Sequence, residues 1–103
     1  MEFTKEEKLS CMKSLMWDYD IPPEHCLEVL NGTREKAGHY DEYALFRKVI
    51  ESYRWFTVIR ILPPERISEL LTEDLISKLR FDWLKKQYTF IKNELPRSLQ
   101  TSR

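Results

Sequence analysis

Glycine is scarce in this chain: Gly32 and Gly38 are the two that its 103 residues contain. Phosphate-cradling loops need glycine, because backbone amides must approach the anion closely. Neither residue follows a strand-like segment, so both common nucleotide-binding loops are excluded. Cysteine is equally sparse, with Cys11 and Cys26 alone. One pair cannot build a disulfide framework, and no CxxC or His spacing marks a zinc site. Both fall within apolar stretches and read as buried, reduced thiols. No run of about 18 apolar residues is present to cross a membrane. The first eight residues, Met1-Glu2-Phe3-Thr4-Lys5-Glu6-Glu7-Lys8, lack the apolar stretch of a signal peptide. The expected location is therefore the cytoplasm. No HExxH or DxDxDG pattern occurs either, so neither a metal nor a cofactor is expected.

Apolar residues make up 42% of the chain and aromatics 13%, enough to form one core without staples. The formal net charge is zero, but it is unevenly spread. Residues 1–42 hold ten acidic side chains against five basic, and residues 78–103 hold seven basic against two acidic. Such asymmetry can mark a partner or nucleic-acid surface.

Helical spacing and clear stops divide the chain. Thr4 and Glu7 have the spacing of a capping box before a helix over Lys5 to Trp17, with Leu9, Met12, Leu15 and Met16 inward. Asp18, Asp20 and Pro22-Pro23 end it. A second helix runs from Pro23 to Leu30 and stops at Gly32. After a loop, Asp41 caps a helix over Glu42 to Tyr53. Trp55 to Leu62 is β-branched and aromatic and would favour a strand. No other segment could pair with it, and a lone strand leaves backbone groups unmet, so a helix is predicted. Being apolar nearly all round, it should be central, with Val58, Ile59 and Leu62 among the most buried residues. Pro63-Pro64 precede a helix over Glu65 to Leu71. Thr72 caps another over Glu73 to Leu79, with Leu71 and Ile76 as a hydrophobic staple. Asp82 should cap the last helix, Trp83 to Leu95, whose Leu84, Tyr88, Ile91 and Leu95 form an apolar stripe ended by Pro96. The expected fold is all-α: one compact domain of six or seven short helices over residues 1–96, with no sheet, and a flexible tail over 97–103.

Few residues carry chemistry. His25 and Cys26 are adjacent, so on a helix they diverge by about 100° and make no thiolate–imidazole pair. His39 falls in a loop. Asp18 and Asp20 lie in a turn, where Asp bonds to local backbone. No catalytic residue is assigned and no enzyme is expected. Aromatics outside the helical stripes are of more interest, because Trp and Tyr dominate binding hot spots. Trp17, Tyr19, Tyr40 and Tyr43 are the candidate partner-binding residues, with Asp18, Asp20, Asp41 and Glu42 as an acidic rim. In the alternative, Lys85, Lys86 and Lys92 on the last helix would contact nucleic-acid phosphates.

Trp17-Asp18-Tyr19, His39-Tyr40-Asp41, Leu70-Leu71-Thr72-Glu73-Asp74-Leu75-Ile76 and Leu79-Arg80 with Leu84-Lys85-Lys86-Gln87-Tyr88 resemble a family of small bacterial helical proteins known as a domain of unknown function. The resemblance covers residues 10–95. It implies a gene beside a nucleotidyltransferase-like protein of toxin–antitoxin or phage-defence type, and an accessory or antitoxin-like role. It carries over no catalytic residue. The expectation is a non-enzymatic module that binds another protein, the alternative a nucleic-acid-binding regulator.

Overall fold

Thr4 opens the first helix with the reciprocal pair its spacing predicts. The Glu7 amide donates to the Thr4 hydroxyl at 3.2 Å, and the Thr4 amide donates to the Glu7 carboxylate at 2.8 Å. A computed structural model describes residues 2–101 of the chain, with the helical backbone alone over 96–101. Among the described residues there are seven helices: α1 (Lys5–Leu15), α2 (Pro23–Asn31), α3 (Glu42–Ser52), α4 (Trp55–Ile61), α5 (Pro64–Leu70), α6 (Glu73–Ser77) and α7 (Asp82–Thr101). There is no strand among them, so the fold is all-α and a single domain. The Cα radius of gyration, 13.3 Å, matches the roughly 13 Å of a compact 100-residue domain. No helix is long and apolar enough to cross a membrane.

The other starts and stops follow the same local chemistry. Asp41 accepts from the Ala44 amide at 2.8 Å and Thr72 from the Leu75 amide at 3.1 Å, each satisfying a first-turn donor. Pro23 and Pro64 stand in first turns, where an amide would have no acceptor. Gly32 ends α2 at φ 85°, a left-handed conformation that costs a residue with a Cβ. Asp82 is the exception among the predicted caps. It lies inside the first turn of α7, and the Lys85 amide bonds back to the Phe81 carbonyl.

The core is aliphatic with two large rings, Phe46 and Tyr88. α1 packs on α2, α2 and α4 on α3, and α7 on α5 and α6. Arg66 on α5 ties three elements together. Its Nε donates to the Leu30 carbonyl at 2.7 Å, and its guanidinium pairs with Glu42 on α3 and with Glu69 at 3.3 Å.

Two further expectations need correction. Trp55–Ile61 is a helix, but a one-sided one. Val58, Ile61 and Leu62 are fully buried at i, i+3, i+4 spacing, whereas Ile59 is half-buried and Phe56 and Arg60 face outward. A seven-residue helix covers one face only, so apolar composition all round does not make it central. Pro96 does not end the last helix, because the backbone stays helical to Thr101. Proline removes one hydrogen bond and bends a helix without always stopping it. Of the expected tail, residues 102–103 and the side chains from 96 onward lie outside the described residues.

Ile61→Ala should lower stability by about 2–5 kcal/mol, as emptying a closed site in a core does. Ile59→Ala should cost less than half as much. Urea unfolding of the two variants checks this, and equal losses would place Ile59 in the core.

Candidate interaction surfaces

The turn after α1 and the loop after α2 are built to meet. Beyond Met16 the Tyr19 amide donates to the Met16 carbonyl, holding a tight turn. The 33–40 loop closes on itself through paired bonds between Ala37 and Tyr40, 3.0 and 3.1 Å long. Gly38 at its tip has φ 62°, and a Cβ there would come within 2.7 Å of the Ile21 side chain. This loop brings Tyr40 to Tyr19. The Tyr40 hydroxyl donates to the Tyr19 hydroxyl at 3.2 Å, and the rings meet edge to face with centroids 5.8 Å apart. His39 lies 4.4 Å from the Tyr40 ring, and Lys48 of α3 sits 5.6 Å from the Tyr19 ring. Such pairs add about 1 kcal/mol beyond burial.

The hydrogen bond to Tyr19 and then burial push the Tyr40 phenol up to about 12. Burial alone pushes Tyr88 to about 12. Burial also raises both thiols, Cys11 further aided by Glu7. Cys26 is buried as expected, while Cys11 is half-buried. Both thiols are free. Among the described residues no group of three His, Cys, Asp or Glu could hold a metal ion.

The four candidate aromatics do not form one patch. Trp17, 82% exposed, shares a shallow groove of about 470 Å³ with Tyr19, Ile21 and Pro22-Pro23. Tyr40 is half-buried and closes the loop over the core. Tyr43 stands apart, beside a cleft of about 200 Å³ between α3 and α6 that Arg47, Thr72, Asp74 and Lys78 also line. The acidic rim is half as large as expected, since Asp41 caps α3 and Glu42 is held by Arg66.

A second aromatic surface escaped the sequence reading. Trp83 and Phe90 on α7 are 62% and 66% exposed, and Phe56 on α4 is 53% exposed. The Phe81 and Trp83 rings stack at 6.1 Å. Between α4 and α7 runs a groove of about 540 Å³, walled by Trp55, Phe56 and Trp83 with buried Leu84 and Tyr88 at its base. The signal was present: positions 83 and 90 are seven apart, one flank away from the buried stripe at 84, 88, 91 and 95. Reading the outer side of this helix as simply basic hid it.

The three lysines do not line up. Lys86 is exposed on the crest of α7. Lys85 and Lys92, seven apart, are half-buried on the flank opposite Trp83, with Lys85 3.9 Å from Asp82. Comparison with family models, with curated proteins and with solved structures gives no match for this chain.

The two raised phenols fix an alkaline response. Each binds its proton more tightly in the folded state, so its contribution is complete below about pH 10 and is lost as pH rises towards 12. Tyr40→Phe should make the fall shallower, read as urea midpoints at about pH 9 and pH 11.5. An equally steep fall would mean that the Tyr40 hydroxyl has no partner in solution.

Proposed function

We propose that this chain is a cytoplasmic, non-enzymatic protein-interaction module, an accessory or antitoxin-like partner of a neighbouring bacterial gene product. One observation carries the reading. Seven large apolar side chains are exposed among the described residues: Trp17, Tyr19, Tyr43, Phe56, Phe81, Trp83 and Phe90. All seven are aromatic, while the Leu, Ile, Val and Met side chains described in the helices are in or against the core. Rigid aromatic anchors standing in solvent suit association, because they bury much area for little lost rotamer freedom. The resemblance to the small bacterial family supports the accessory role and supplies no catalytic residue against it.

The runner-up is a nucleic-acid-binding regulator using Lys85, Lys86 and Lys92. Phosphate contacts along a duplex need several cations on one strip. The division of these lysines between crest and flank, and the engagement of Lys85 with Asp82, weigh against it.

Capture from the native host on the immobilised chain, with and without nuclease, separates the two. The expected result is a protein that stays bound after nuclease, together with duplex DNA affinity weaker than about 1 μM at physiological salt. Loss of all prey on nuclease treatment, or tighter duplex binding, would reverse the ranking.

A further inference from the structure

The groove between α4 and α7 is lined by one cation and one carboxylate, Arg54 and Glu51, and further cations stand beside its aromatic walls. Arg54 lines it, Arg60 lies 5.7 Å from the Phe56 ring, Arg80 lies 6.0 Å from the Phe81 ring, and Lys86 stands on α7 between Trp83 and Phe90. None of these four makes an ion pair among the described residues. Each carboxylate on this side has a partner, Glu51 a neutral one, and the four unpaired cations leave a surplus of positive charge around the groove. Glu51 accepts from the Arg80 amide at 2.9 Å, Asp82 faces Lys85, and Glu94 has a contact of its own.

We propose that this groove takes an acidic, amphipathic helical segment of a partner protein, seating an apolar side chain between Trp55, Phe56 and Trp83. The inference rests on the protein-interaction reading above and adds the site and the chemistry of its occupant. A volume of about 540 Å³ accommodates one or two large side chains. Apolar anchors at i, i+4 and i+7 of the segment would reach the groove and Phe90, while its acidic residues would meet the unpaired cations. Opposite charge would also speed the encounter.

Two other occupants fit less well. A second copy would bring two faces with a surplus of cations together across a two-fold interface, a like-charge arrangement that costs affinity. Single-stranded nucleic acid stacks its bases on open ring faces. Here the Phe81 ring has Arg80 near it and Trp83 stacked on it, and the Phe56 ring has Arg60 near it.

The test is selection of random peptides of about 16 residues, roughly four helical turns, displayed on phage against the full chain. Enriched peptides should be acidic, with apolar residues at helical spacing. Their affinity should fall about tenfold or more for Trp83→Ser, and similarly for the double variant Arg54→Glu with Lys86→Glu. Trp17→Ala should bind as the parent does. Trp83 is exposed, so its variant should keep the parent melting temperature; the charge reversal reads the same site without removing any ring. Peptides without acidic bias, or affinities unchanged in both variants, would overturn the proposal. So would tighter binding of an oligo-dT strand, or dimerisation abolished by Trp83→Ser in sedimentation. Host prey that Trp83→Ser still captures but Trp17→Ala loses would sink this site and leave the interaction reading standing. Prey lost to nuclease would sink that reading itself.

Discussion

Short helices do not persist alone in water, because nucleating each one fixes several residues for a single hydrogen bond. Six of the seven helices described here run five to eleven residues. Each therefore depends on its neighbours for one buried face, and on its caps for the amides that no turn satisfies. Thr4, Asp41 and Thr72 supply side-chain caps, and Pro23 and Pro64 remove the need for one amide each. Arg66 does the same for a helix end from a distance. It takes the Leu30 carbonyl at the end of α2 while holding Glu42 in the first turn of α3. The corner between α2, α3 and α5 is thus fixed by one planar cation, whose fork suits several acceptors at once.

That constraint also decides what is left outside. Short helices offer two to four inward positions each, and Leu, Ile, Val and Met fill almost all of them. Most of the aromatic side chains then have no inward position to occupy. Apart from Tyr43, the exposed ones collect in two places: around the turn after α1, and along the flank of α7 facing α4. The first is partly a closure of the fold, since Tyr40 bonds Tyr19 and half-buries itself over the loop. The second closes nothing. α7 buries the Leu84, Tyr88, Ile91 and Leu95 stripe against its neighbours and leaves Trp83 and Phe90 in solvent. An exposed apolar patch of this kind marks a binding surface more often than an accident of composition.

Much of this was legible in the residues themselves. The capping box at Thr4 and Glu7, the double prolines, Asn31-Gly32 and the four-residue stripe of α7 each state a local rule, and each is met. The helix over Trp55–Ile61 was legible only by elimination, because its β-branched residues favour a strand and only the lack of a pairing partner argues otherwise. What sequence could not rank was depth. Ile59 and Ile61 are identical in chemistry and two positions apart, yet one is half-buried at the edge of the core and the other fully buried. The same difficulty hid the α7 groove. Its walls come from residues 55–56 and 83, which nothing in the sequence joins until α4 is folded on α3 and α7 on α5 and α6. Tyr19 and Tyr40 were found because they lie in a turn and a loop, where periodicity excludes them from a stripe; Trp83 and Phe90 lie within a helix and passed as part of it.

An interaction module of this kind requires that another protein cover its exposed indoles. Trp17 and Trp83 can be read singly by acrylamide quenching of emission, in variants that keep one indole and replace the others by Phe. In the free chain both should quench readily. With the captured protein bound, Trp83 should become shielded and its emission should shift to shorter wavelength. Full quenching of both indoles in the complex, unchanged from the free chain, would contradict the claim that these aromatics form the contact.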